Sequence, residues 1–245
     1  MNLTDKTILI TGATSGIGEK LVEKLAPLNR TIIAIGRNDE KLSALRERHK
    51  NITTYRIRLE NHEEVIYGMY AIWEANPDLS VIFNNAAIQH TPFISSPDFN
   101  PDSIQTELEV NLHAPISICA LSLPHFLSMN KPTAFINLSS GLALSPKAAS
   151  SVYCATKAAI HSFSQSFRYQ LENTNVSVFE VLLPLVDTPM THGRRNKKIS
   201  AEKAVSAILR GIKRDQYEIY VGIAKLLPIM SRLAPTLMKQ IMKKG

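Results

Sequence analysis

A chain of 245 residues with 44% hydrophobic content has enough apolar surface for a sizeable buried core, which excludes a disordered protein. The net charge of +7 is concentrated at one end: from His192 onward thirteen Lys and Arg face three acids, whereas residues 1–191 hold fifteen against eighteen. That placement, without interleaved stacking aromatics, argues against a nucleic-acid partner. Cys119 and Cys154 are too few for a disulfide framework, and the seven histidines show no metal-ligand spacing, so no metal site and a reducing compartment are expected. Met1 to Lys6 shows no secretory pattern, and no stretch of about 18 uncharged apolar residues occurs. A cytoplasmic location is the expectation.

In chain order, β-branched runs predict strands at Lys6–Ile10, Thr31–Ile35, Thr53–Ile57, Val81–Phe83, Ala134–Leu138, Val176–Leu182 and Tyr217–Val221. Helical patterns lie between them at Gly16–Leu28, Asp39–His49, Glu63–Ala75, Pro101–Met129, Ser151–Glu172 and Ser200–Lys213, with Asn100 as an N-cap before Pro101. Strand and helix alternating so regularly predict right-handed βαβ units. The fold class is α/β, a single doubly wound, Rossmann-like domain over residues 1–245, its parallel sheet of about seven strands flanked by helices on both faces. Such a sheet binds ligands at the carboxyl ends of its strands, so motifs directly after strands carry most weight.

Thr11-Gly12-Ala13-Thr14-Ser15-Gly16-Ile17-Gly18 follows the first strand and opens the first helix. Gly12 suits a tight turn, Gly16 admits a phosphate close to the backbone, Gly18 allows helix-on-strand packing, and the helix N-terminus offers free N–H groups. A turn that merely packs is the plain alternative. After the second strand, Gly36-Arg37-Asn38 stands where an acid would accept a ribose 2′-hydroxyl. Arg37 instead favours a 2′-phosphate, hence NADP(H) over NAD(H), unless it is simply a solvated strand end.

Tyr153 and Lys157 lie one helical turn apart on one face of the helix from Ser151. A phenol titrates near about 10, and a neighbouring ammonium favours its ionised form, which makes Tyr153 a usable acid or base. Ser139 and Ser140 close the fifth strand, where a hydroxyl can stabilise charge developing on a substrate oxygen.

Together these motifs resemble the short-chain dehydrogenase/reductase superfamily from about Leu3 to at least Met190. The matching positions are Thr11 to Gly18, Asn84-Asn85-Ala86, Asn111, Ser140, Tyr153-x-x-x-Lys157 and Pro184-x-Val186-x-Thr188. Gly36-Arg37-Asn38, Leu183 to Thr188 and Ala224-Lys225-Leu226-Leu227 are similar to the DltE-type branch of bacterial oxidoreductases. The resemblance implies hydride transfer between nicotinamide and a carbonyl or alcohol carbon. Tyr153 would be the general acid/base, Lys157 would lower its pKa and bind the nicotinamide ribose, Ser140 would hold the substrate oxygen, and Asn111 would support a relay water. Cofactor contacts would come from Gly12, Thr14, Ser15, Gly16, Ile17 and Gly18, from Arg37, Leu59, Asn85 and Ala86, and from Tyr153, Lys157, Pro184, Val186 and Thr188. It also implies a homodimer or homotetramer built on the long helices.

Three departures accompany it. Ala87 replaces the glycine after Asn84-Asn85-Ala86, Leu185 stiffens the hinge after Pro184, and Arg58 stands where the family keeps an acid near the adenine. Leu59 still packs on the ring, while Arg58 turns outward or stacks on it.

Residues 187–200 match the position of a substrate lid, and Arg194, Arg195, Lys197 and Lys198 within it suit an anionic substrate or a solvated face. Further walls would come from Gln89, His90, Leu142, Ser145 and Lys147. The segment 223–245 mixes apolar residues with lysines, and Pro228 and Pro235 divide it. Leu237, Met238, Ile241 and Met242 recur at helical spacing, so the segment either covers the cleft or an interface, or makes peripheral contact with an anionic membrane. Against the reductase stands a second reading, a catalytically silent nucleotide-binding scaffold. A small-molecule carbonyl or alcohol is the expected partner.

Overall fold

A computed structural model describes residues 1–194 and 197–243; Arg195, Asn196, Lys244 and Gly245, which fall in the expected lid and tail, lie outside the described residues. The β-branched runs become β1 (Thr7–Thr11), β2 (Thr31–Gly36), β3 (Ile52–Arg56), β4 (Leu79–Asn84), β5 (Thr133–Ser140) and β6 (Val176–Leu183). The short β7 (Val186–Asp187) and β8 (Ile199–Ser200) precede β9 (Glu218–Tyr220). The helices are α1 (Gly16–Leu25), α2 (Asp39–Arg48), α3 (His62–Ala75), α4 (Asp102–Leu108), α5 (Ala114–Ser128), α6 (Ser151–Gln170), α7 (Ala201–Lys213), α8 (Leu227–Leu233) and α9 (Pro235–Lys243).

Seven strands pair in parallel in the order β3-β2-β1-β4-β5-β6-β9, the doubly wound, Rossmann-like architecture expected. Alternation along β1 divides the interior: Ile8 and Ile10 join one apolar cluster with Leu21, Leu42 and Val205, and Leu9 joins the other with Met69, Ile118 and Phe167. Helices α1, α2 and α7 therefore cover one face, and α3, α5 and α6 the other. Order reverses between β1 and β4, which opens a crevice at the ends of β1, β4 and β5.

Several boundaries differ from the sequence reading. Helix α1 stops at Leu25 and gives way to a 3-10 turn, Ala26–Leu28, because Pro27 cannot donate within a continuing helix. Helix α3 begins at His62, capped by Asn61, whose side chain accepts from the Glu64 N–H. Asn100 does accept from the Asp102 N–H at 3.0 Å, yet the regular helix starts after Pro101. Helices α4 and α5 join through a π turn, Glu109–His113. Their combined span, Asp102–Ser128, is long and apolar enough to cross a membrane, but Ile118, Cys119 and Phe126 are buried in the core beside the sheet. Too short for strand periodicity, the β7–β8 pair escaped the sequence reading; it brings Val186 beside Ile199.

A polar seam runs through the second core. Asn84 Nδ2 donates to Asn137 Oδ1 at 2.9 Å, and Asn137 Nδ2 donates to Ser164 Oγ at 2.9 Å, which ties β4, β5 and α6 together where water has no access. Replacing Asn137 by Ala removes the donor to Ser164 Oγ and leaves Asn84 Nδ2 only the longer bonds to the Pro115 carbonyl and Cys119 Sγ. Urea unfolding should show Asn137→Ala destabilised by about 2–4 kcal/mol; an unchanged midpoint would mean that the seam contributes nothing.

Candidate active site

One cavity of about 570 Å³ extends along the crevice from Arg37 to the C-terminal helices. At its floor lies the glycine turn. Gly12 and Gly16 hold φ of +64° and +57°, conformations that side chains oppose. A Cβ on Gly16 would come within 3.0 Å of Thr188 Cγ2, so the missing side chain lets the turn close against the segment after β7. A Cβ on Gly18 would sit 2.1 Å from the Gly12 carbonyl oxygen, which leaves no residue but glycine there. Asn85 braces the turn: its Nδ2 donates to the Thr11 carbonyl at 2.8 Å, while the Asn85 and Ala86 N–H groups both donate to Thr11 Oγ1 at 3.0 Å.

Ser15 precedes α1 with no side-chain cap, so the first-turn N–H groups are left to whatever anion enters. Glycines without room for Cβ, beside an uncapped helix N-terminus, fit a dinucleotide pyrophosphate. Thr14, Ser15 and Ile17 line the cavity with them. At the same end, Arg37 and Leu59 contribute to the wall. Arg58 does not: its Nε donates to Glu64 Oε1 at 2.7 Å, and this ion pair turns it outward, which decides between its two expected orientations.

Toward the other end, β5 delivers Ser140 and α6 delivers Tyr153 and Lys157. Ser150, at φ +61°, turns the chain into α6 so that Tyr153 falls in its first turn. Ser140 Oγ accepts from the Leu142 N–H at 3.1 Å and caps the 3-10 turn Gly141–Ala143. Ser139 points away from the cavity's centre, its Oγ donating to the Lys157 carbonyl at 3.4 Å. Tyr153 and Lys157 are 9% and 4% exposed, and the Lys157 ammonium lies 5.6 Å from the centre of the Tyr153 ring. That ammonium donates to the Leu138 carbonyl at 2.8 Å.

Burial dominates both groups. It pushes the Tyr153 phenol up to about 12, with Cys154 adding to the rise and Arg194 and Ser140 opposing it. It pushes Lys157 down to about 8, with Glu180 opposing. The lowering of the phenol expected from Lys157 does not emerge: desolvation dominates, and the opposition to it comes from Arg194 and Ser140 while the Lys157 ammonium is held at the Leu138 carbonyl.

Pro184, Val186 and Thr188 line the cavity beside this group, as does Leu185. Two expected site residues stand behind the wall. Gly18 acts through packing, and Asn111, in the π turn, clasps Ile88: its Oδ1 accepts from the Ile88 N–H and its Nδ2 donates to the Ile88 carbonyl, each at 2.8 Å. Among the expected substrate walls, Gln89, Leu142 and Lys147 face the cavity. Ser145 is buried elsewhere, and His90 is held by the buried Glu107 through both its backbone and its ring. Ile223, Leu227, Ile241 and Met242 also line the cavity, so the segment 223–245 covers the cleft, one of the placements its sequence left open.

The short chain dehydrogenase family model matches residues 6–199. An uncharacterized oxidoreductase, DltE of Bacillus subtilis (strain 168), is 36% identical over 232 residues, 89% of each chain. Among solved structures, a short-chain dehydrogenase from Burkholderia cenocepacia J2315 in complex with NADP superposes with a TM-score of 0.88 at 24% identity, covering 99% of both chains. One from Burkholderia phymatum in complex with NAD does so at 0.86 and 19%, covering 100% of this chain and 98% of that one. From the glycine turn to the β7 segment, this chain belongs to the short-chain dehydrogenase family and is an oxidoreductase.

Proposed function

We propose that the chain is an NADP(H)-preferring carbonyl reductase or alcohol dehydrogenase in which Tyr153 is the general acid/base. The observation that carries this reading is one cavity that joins the glycine turn to Ser140, Tyr153 and Lys157. When bound, the nicotinamide cofactor supplies or receives the hydride. Every other step belongs to side chains of this protein. In reduction the Ser140 hydroxyl donates to the substrate carbonyl oxygen and holds it in place. The Tyr153 O–H then delivers its proton to that oxygen as negative charge develops there. In oxidation the same proton returns to Tyr153. Lys157 stabilises the phenolate left behind, and the π turn around Asn111 supports the water through which that proton is recovered from solvent.

Pro184, Val186 and Thr188 would hold the nicotinamide, while Leu59 and Ala86 pack along the adenosine. A silent scaffold has no use for a serine, a phenol and an ammonium on one wall of the same cavity. Exposed Leu127 and Tyr169, on α5 and α6, are consistent with homodimer or homotetramer contacts along those helices. Leu233 and Leu237, exposed beside Arg232 and Lys239 on α8 and α9, support a second role for the tail in peripheral membrane contact. The location proposed is cytoplasmic.

Because relatives of this fold bind either NADP or NAD, cofactor choice rests on Arg37, an exposed cation on the cavity wall with no acid at the end of β2 to receive a ribose hydroxyl. Arg37→Asp should move the NADPH:NADH ratio of kcat/KM toward NADH by about tenfold or more; a wild-type protein that favours NADH would overturn the assignment. In an NADPH-consumption screen over aldehydes, ketones and quinones, Tyr153→Phe should lower kcat by about 100-fold or more while NADPH still binds. Turnover at the wild-type rate would remove Tyr153 from the proton transfer.

A further inference from the structure

The substrate end of the cavity combines two features that the hydride and proton chemistry does not require: a pair of cations and an apolar cover. Lys147, on the loop before α6, and Arg194, after β7, both line the cavity and are both half-buried. They lie close enough to feel one another, and burial together with Arg194 makes the Lys147 charge harder to hold. Arg194 also acts on the Tyr153 phenol, which puts the pair at the reacting end, remote from Arg37 and the adenosine wall. Among the described residues no carboxylate lies within 4.0 Å of either cation. Glu107 also reaches the field of Tyr153, but it is turned to His90. Gln89 adds a buried Nε2 donor on the same cavity without a partner among the described residues.

The cover is apolar. Leu227, Ile241 and Met242 line the cavity from α8 and α9, and the Met242 carbonyl accepts from the Ala148 N–H at 3.3 Å, next to Lys147. Across from them, Gly141 leaves the space that Leu227 fills: a Cβ there would come within 2.5 Å of Leu227 Cδ1. A half-buried pair of like charges is costly alone and is relieved by an anion placed between them. The walls beside it suit a hydrocarbon body.

We propose that the cavity takes carbonyl compounds with an apolar body and an anionic end, the anion seated at Lys147 and Arg194 and the body under Leu227, Ile241 and Met242. This names the substrate class of the reductase reading above and rests on it. A carboxylate and a phosphate share the required chemistry, and the measurement separates them.

The full chain saturated with NADPH is titrated calorimetrically with octanoate, mono-octyl phosphate and 1-octanol, which share one apolar chain and differ in the head. At least one anion should bind about tenfold or more tightly than the alcohol, and the tighter of the two names the preferred head group. The double variant Lys147→Met, Arg194→Met should bring all three within about twofold of one another, while Lys147→Arg keeps the preference. Equal binding of the three by the wild type overturns the proposal, as does an anion preference that survives the double variant or a failure of all three to bind. Because none of these probes is turned over, the result is independent of catalysis. Tyr153→Phe should keep the anion preference, so loss of turnover in that variant and loss of anion binding in the other are separate outcomes.

Discussion

The Lys157 ammonium is the group around which the site is organised, and the fold spends interactions on keeping it in place. It is 4% exposed, held by the Leu138 carbonyl near the end of β5, and presented by α6 one turn from Tyr153. Strand and helix are in turn tied together through Asn137 and Ser164. A buried cation with one carbonyl acceptor is under strain, and its fall to about 8 reflects this. Glu180, buried on β6 and paired with His161 at 2.7 Å, supplies the opposing field. The same burial that depresses Lys157 raises Tyr153. In the proposed reaction this pair becomes efficient only when further favourable charge reaches the phenolate, which couples proton transfer to occupation of the crevice.

Each end of the cavity is built by absence or presence of a side chain. At the end formed by the glycine turn, glycines remove Cβ atoms that would strike Ala86, Thr188 or the Gly12 carbonyl, and an uncapped helix N-terminus remains. At the end near Tyr153, the C-terminal helices add apolar side chains as a cover, and Gly141 makes room for one of them. The tail thus has two faces. Met238 is buried inward, whereas Leu233 and Leu237 are exposed. An amphipathic helix pair over a cleft satisfies the first face and leaves the second exposed.

Much of this was legible in the residues. The seven sheet strands follow from β-branched runs because a parallel sheet buries both of its faces. The glycine turn and Tyr153 with Lys157 were legible because local spacing fixes their geometry: a turn needs glycine where φ is positive, and residues four apart on a helix share a face. What was not legible depended on tertiary placement. The outward turn of Arg58 comes from Glu64, six residues on and in another element. Asn111 and Gly18 were found by motif, yet neither faces the cavity, since their contributions run through Ile88 and the Gly12 carbonyl. The direction of the Tyr153 shift could not be read from spacing, because burial of the phenol is a property of the whole fold. The cover formed by α8 and α9 was one of two placements that the amphipathic pattern allowed.

The central claim is that Lys157 and a bound dinucleotide together make the Tyr153 phenol an acid/base near neutrality, against the effect of burial. Phenolate absorbance, titrated with saturating oxidised cofactor and taken as the difference between wild type and Tyr153→Phe, measures that group directly. The expected result is a tyrosine titrating well below the ordinary value of about 10, moved upward in Lys157→Met. A Tyr153 that stays at about 12 with cofactor bound, unaffected by Lys157→Met, would contradict the claim.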